Sequence, residues 1–312
     1  MSSTLLAASD PMDHVYQWVY QRFPLGTSDG IFTPQGTITL VSNHVIMQVL
    51  AALLLILLVP TFARVRSSGD AVRDLTPRGM GNFFESICAY FRDTVARPVL
   101  GEHTDRFICY IWSAFFYVLF VNLLGILPLE PVTRGLVRGV FPDAHHGFGG
   151  SATGNIWVTA SLATCTLLMV IVNGLRLGGK HYVAHFCPGP LWLAPLLVPV
   201  EIIGLVAKMF ALAVRLFANM VAGHVLLAVL MGFISLSYVA LGLAGGLGVG
   251  LIVVLVSTAF NLLEVFVAFL QAFIFTFLTT LFIGQAVNVH HEHGHEEHGE
   301  HDEHQGVAEA HA

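Results

Sequence analysis

Long unbroken runs of apolar residues constrain this chain more than any other feature. A transmembrane helix needs about 20 predominantly apolar residues. Such runs occupy Ile38–Thr61, Phe107–Leu127, Thr153–Leu175, Leu191–Val239 and Val249–Val287. Inside hydrocarbon every backbone N–H and C=O must find its partner within the protein, so only helices and closed barrels span a bilayer. Barrel strands alternate apolar and polar residues over short segments. The runs here are continuous, which predicts helices. Charged residues make up 11% of the chain and mean hydropathy is +0.73, against about 25% charged residues in soluble domains. The expectation is an all-α integral membrane protein of five transmembrane helices plus one interfacial amphipathic helix.

Residues 1–37 read as a loop-like outside segment, with Pro11, Pro24 and Pro34. Residues 38–287 form the membrane domain, and 288–312 a disordered His- and Glu-rich tail. Phe84, Ile87, Cys88, Phe91 and Val95 recur at helical spacing, while Glu85, Arg92 and Asp93 face away. That segment is too charged to span and reads as the interfacial helix, with Asn82 and Glu85 as a capping box. The fourth and fifth runs exceed the length a perpendicular helix needs, which implies strong tilt. Between them Gly242, Gly246 and Gly250 fit either a glycine-rich hairpin turn or a small-residue packing seam. Arg64–Arg78 with Arg176 and Lys180 on one side, against Arg134 and Arg138 on the other, put the amino terminus outside.

Within the fourth run stands Arg215. A guanidinium keeps its charge at any working pH, and at bilayer depth it costs roughly 2.5–3.5 kcal/mol on insertion scales. Such a group marks an ion pathway or a charged partner. Glu201, Lys208, Arg215 and Asn219 share one narrow helical face. Beside them run Gly204, Ala207, Ala211, Ala218 and Ala222. That smooth stripe suits static packing inside the membrane domain or a wall past which a partner slides. The fifth run carries Asn261, Glu264 and Gln271 on one stripe, and His224 stands near the outer end of the fourth. Glu and His can pass protons because burial moves both across working pH. Two arrangements fit: a static Arg215–Glu264 ion pair, or a hairpin with Gln271 opposite Arg215 and Glu264 near His224.

Arg215-Leu216-Phe217-Ala218-Asn219-Met220 with Ala222-Gly223, followed by Leu270-Gln271-Ala272-Phe273-Ile274-Phe275, resembles the a subunit of F-type ATP synthases. Asn122-Leu123-Leu124-Gly125-Ile126-Leu127-Pro128 is similar to the same family. The resemblance implies that Arg215 faces the ion-carrying carboxylate of a rotating c-ring, with Gln271 across from it and Asn219 one turn away. It implies that Glu201 lines an inside half-channel, and that His224 and Glu264 belong to an outside one. It further implies the c-ring, b-type peripheral stalk subunits and the lipid bilayer as partners. At the third run many members read Thr-Ala-Asp-x-Asn-x-Thr, whereas this chain has Thr153-Gly154-Asn155-Ile156-Trp157-Val158-Thr159.

A self-contained transporter using Arg215 to bind an anionic substrate is the second reading. A third, a membrane metalloprotease, rests on His291-Glu292-His293-Gly294-His295 in the tail. A zincin motif needs a packed helix presenting both histidines on one face, and a low-complexity terminal tract offers none. No nucleic-acid contact, cofactor, metal site or catalytic residue is expected, so the chain is no enzyme on its own. With neither a signal nor a transit peptide apparent, a bacterial plasma membrane is favoured over an organelle inner membrane.

Overall fold

The computed structural model describes residues 19–24, 37–63, 79–127, 129, 133, 149–185 and 194–287. The tail after Val287 and the loops carrying Arg64–Arg78 and Arg134–Arg138 lie outside the described residues.

The described part is helical apart from one feature that the all-α expectation lacked. Val19–Pro24 (β1) pairs antiparallel with Thr37–Ser42 (β2), in a register that sets Val19 against Ser42 and Pro24 against Thr37. Thr37-Ile38-Thr39-Leu40-Val41 is rich in β-branched residues, which suit a pleated strand better than a helix. The first helix therefore starts later than its apolar run, as α1, Asn43–Ala63. Ser42 caps it, accepting the Val45 N–H on Oγ at 3.4 Å.

The next helix, α2, covers Met80–Tyr90 and begins after Gly79, whose φ is +67°. Its first turn closes on the Gly79 carbonyl through the Phe83 N–H. Asn82 thus sits inside the helix, and the expected capping box does not form. A π-helical turn at Phe91–Ala96 and Arg97–Leu100 continue it. Most of the expected faces hold: Phe91 and Val95 are buried, Phe84, Ile87 and Cys88 half-buried, and Glu85 and Asp93 exposed, whereas Arg92, expected to face away, is half-buried and donates to Asp105 Oδ1 at 2.7 Å. Gly101, at φ 53° and ψ −123°, then turns the chain into α3, Thr104–Ile126.

After a short 3₁₀ turn at Ala152–Gly154 comes α4, Ile156–His185. It continues past Leu175, where the apolar run ends, through Arg176 and Lys180. The last helical run, Ala194–Val287, is broken at Gly242 into α5 before it and α6 after it. At φ 68° and ψ −161° that residue occupies a region essentially reserved for glycine. One residue makes the reversal; Gly245, Gly246, Gly248 and Gly250 are helical. The chain doubles back there, for a Cβ on Gly246 would meet Tyr238 Cδ2 at 3.1 Å. At about 1.5 Å per residue each arm has a contour of roughly 70 Å, more than twice the ~30 Å hydrocarbon thickness.

The helices α1 and α4, the run from α2 into α3, and the run α5–α6 are long and apolar enough to cross a membrane. Contacts divide the chain into two units. The first comprises Met1–Glu85, Ser113–Ser161 and Ala213–Ile274. Its core joins Met47 and Ala51 of α1 to Val121 and Leu124 of α3, and includes Ala152. The second comprises Ser86–Trp112, Leu162–Leu212 and Phe275–Ala312. In it the Trp112 indole donates to the Cys88 carbonyl at 3.0 Å, and Gly284 packs directly on Val99. Many large apolar side chains of α5 and α6 are exposed, among them Ile203, Phe210, Leu255, Leu262 and Phe266. In water such surface costs roughly 25 cal/mol per Å², so it belongs against lipid or a partner.

Candidate functional site

Arg215 projects from the outer face of α5. Its side chain is exposed, and so are Ala207, Lys208, Ala211, Ala218 and Ala222 on the same helix. The ion pairs formed among the described residues are Arg92–Asp105 and Arg97–Asp93, both far along the chain from Arg215. A static Arg215–Glu264 pair is not formed. The small side chains Ala207, Ala211, Ala218 and Ala222 beside Arg215 are likewise exposed among the described residues, while Gly204 is half-buried. Arg215 is therefore a positive charge exposed among small, exposed side chains of its own helix.

Glu264 lies on the other side of the hairpin. A Cβ on Gly223 would stand 2.6 Å from Glu264 Oε1 and 2.9 Å from its Cδ. The carboxyl group occupies the space that only a glycine leaves. Oε1 is buried and has no hydrogen-bond partner among the described residues. His224, the next residue after Gly223, is half-buried. Glu264 and the His224 segment of α5 are thus at the same height, the hairpin alternative of the two that the stripes allowed. Following the arms from this contact residue by residue brings Arg215 level with Gln271 and Ala272. Gln271 is 4% exposed and its Nε2 has no partner among the described residues. Asn219 is half-buried and Asn261 exposed. Earlier on α5, Glu201 is half-buried, and the Lys208 ammonium stands 5.8 Å from the centre of the Phe282 ring.

Below Gly223 another glycine brings α3 against α5. A Cβ on Gly125 would collide with Met220 Cε and approach Ser151 Oγ to 3.0 Å. Around it lies a buried polar group that sequence reasoning did not assign. The Thr153 hydroxyl donates to Asn122 Oδ1 at 3.2 Å and stands 3.1 Å from Ser151 Oγ, which accepts the Gly154 N–H at 3.1 Å. Gly223 and Gly125 appeared in the sequence only as parts of motifs. Their use depends on which residue faces them across the fold, and no local pattern states that.

A family model described as ATP synthase A chain matches residues 45–284. The chain is 39% identical over 269 residues to the ATP synthase subunit a of Anaeromyxobacter dehalogenans (strain 2CP-C), covering 82% of this chain and 60% of that one. It is 36% identical over 307 residues to the ATP synthase subunit a of Myxococcus xanthus (strain DK1622), covering 95% and 91%. It is also 36% identical over 269 residues to ATP synthase subunit a 2 of Chlorobaculum tepidum, covering 82% and 66%. The chain spans 60% of the length of that Anaeromyxobacter dehalogenans relative and 56% of that of an Anaeromyxobacter sp. (strain Fw109-5) relative.

Proposed function

Because the chain belongs to the ATP synthase A chain family, we propose that it is the stationary membrane-sector subunit past which a ring of carboxylate-bearing c subunits turns. It carries protons and makes no ATP itself. Protons enter from the outer side past His224 and Glu264, load a ring carboxylate, and travel round with the ring. They leave through a second half-channel near Glu201. Arg215 separates the two, with Asn219 beside it and Gln271 level with it on the facing arm.

The observation that carries this reading is the exposure of Arg215, without an ion pair among the described residues, on a strip of alanines. A cation at bilayer depth is costly unless an anion meets it. A ring carboxylate arriving at that strip supplies the anion. The opposite charge favours the ionised carboxylate by lowering its pKa, so the ring group gives up its proton on reaching Arg215. The same charge repels a proton from crossing directly between the half-channels. The membrane field contributes ~2.3 kcal/mol per charge for each 100 mV. The alanines let the ring helix approach closely, and arms of ~70 Å lie steeply tilted along the ring's curved wall. The amphipathic α2 segment lies in the interface. The surrounding membrane is the bacterial plasma membrane, and b-type stalk subunits hold the chain still.

The test is Arg215→Ala in the assembled complex in sealed vesicles. The expected result is no ATP synthesis from an imposed proton gradient. Arg215→Lys loses most of it as well, since an ammonium can give up its proton and lacks the planar fork. Gradient-driven synthesis at the unmodified rate with Arg215→Ala overturns the reading.

A further inference from the structure

At the head of α1 the chain buries three consecutive polar residues, Ser42, Asn43 and His44. His44 is 2% exposed, and neither ring nitrogen makes a hydrogen bond among the described residues. The Ser151 main chain stands near the ring without a well-directed bond. Asn43 fixes the place: its Oδ1 accepts the His44 N–H at 2.9 Å, and its Nδ2 donates to the Gly149 carbonyl at 3.3 Å. The walls are therefore polar. Ser151 and Thr153 are fully buried and Asn122 nearly so. The hydrogen bonds that build the cage join hydroxyls, amides and main chain, with no carboxylate among them.

A buried imidazole with neither nitrogen bonded among the described residues is expensive, since each unmet polar group costs about 1–3 kcal/mol. Buried polar groups of this kind are normally met by protein or by ordered water, and in a polar cage water is the partner of the right size. The cage also leads somewhere. Ser151 Oγ and Met220 Cε converge on Gly125. Met220 is the neighbour of Asn219, and one turn beyond it on α5 are Gly223, which seats Glu264, and His224. The cage thus abuts α5 at Met220, three residues before Gly223.

We propose that His44 is a proton-relay residue of the outer path, carrying protons through the Ser151–Thr153–Asn122 cage toward Glu264 and His224. One ring nitrogen accepts a proton from water on the outer side and gives an imidazolium. The other nitrogen releases its proton toward Ser151, and the ring returns to its neutral form after reorienting. No net charge is gained or lost. This rests on the reading of the chain as a proton-carrying stator.

His44→Gln keeps size and polarity but cannot carry a proton. In the assembled complex in sealed vesicles, ATP-driven proton pumping falls by about 100-fold or more, the low end for a lost proton-transfer group. His44→Glu restores part of the flux, with its pH profile moved to lower pH. A His44→Gln complex that assembles and pumps at the unmodified rate overturns the proposal. Arg215→Ala is run beside it. If Arg215→Ala abolishes pumping and His44→Gln does not, the relay alone is wrong; if both pump normally, the stator reading itself fails. Deuterium exchange at the His44 ring C2–H in the unmodified complex needs no substitution. Exchange that rises as pH passes through the imidazole range shows a wet, titrating ring. A ring that stays unexchanged is sealed and overturns the proposal even if His44→Gln fails to assemble.

Discussion

Replacing Gly223 by alanine isolates the seat of Glu264. The added methyl carbon would stand 2.6 Å from Oε1, whereas ordinary contact begins at 3.4 Å. The carboxyl must withdraw by about 0.8 Å, close to the ~1 Å misplacement that can cost 10²-fold in a positioned reaction. The atom displaced is the end of a flexible side chain, so the fold gives way locally and the subunit still assembles. The expected outcome is a loss of about 10- to 100-fold in ATP-driven proton pumping, roughly 1.4–2.7 kcal/mol of barrier. The assay is dye-reported acidification of sealed vesicles, with ATP hydrolysis and the amount of assembled subunit measured in parallel. Glu264→Asp should also lose flux, because its shorter side chain draws the carboxyl away from Gly223. Combined with Gly223→Ala it recovers part of that loss, giving a coupling of about 1 kcal/mol or more between the two sites. Unimpaired pumping by Gly223→Ala, or losses that simply add in the double variant, would refute the reasoning.

Two further glycines separate stability from transport. A Cβ on Gly284 would strike Val99 Cγ1 and come within 2.9 Å of the Val99 carbonyl oxygen. Main chain cannot swing aside, so Gly284→Ala should destabilise by about 1–3 kcal/mol, seen as release of the subunit from the complex at lower temperature. Gly242 has open space around it, and its strain lies wholly in the backbone at φ 68°. Gly242→Ala should cost about 1–3 kcal/mol of stability while leaving pumping per assembled complex nearly unchanged.

The apolar runs made the helical membrane architecture legible, because hydrocarbon leaves the backbone so few options. The strip around Arg215 was legible for a related reason: helical periodicity sorts side chains onto faces before any tertiary contact forms. The buried face of α2 was readable on the same grounds. What escaped was everything fixed by a partner distant in sequence. Ile38–Ser42 counts as apolar in any window, but pairing with Val19–Pro24 makes it a strand. The break at Gly242 was one of several glycines on offer, and only the backbone angles single it out. That Glu264 rests on Gly223 follows from the register of two long arms, which the stripes left open between two solutions. His44 was masked by the apolar run it heads. A polar Ser-Asn-His triple at the start of a span was the available signal, yet its burial depends on Gly149–Thr153 folding over it.

The central claim is that the strip bearing Arg215 and its alanines faces the turning ring. Ala218→Cys and Ala211→Cys, each paired with a cysteine one turn from the ring's ion-carrying carboxylate, test it most directly by disulfide formation in native membranes. Rapid cross-linking of this chain to a single ring subunit is expected at both positions, with resumed ATP-driven pumping once the bond is reduced. Absence of any cross-link, while cysteines on the opposite face of α5 at Leu212 or Leu216 do reach the ring, would contradict it.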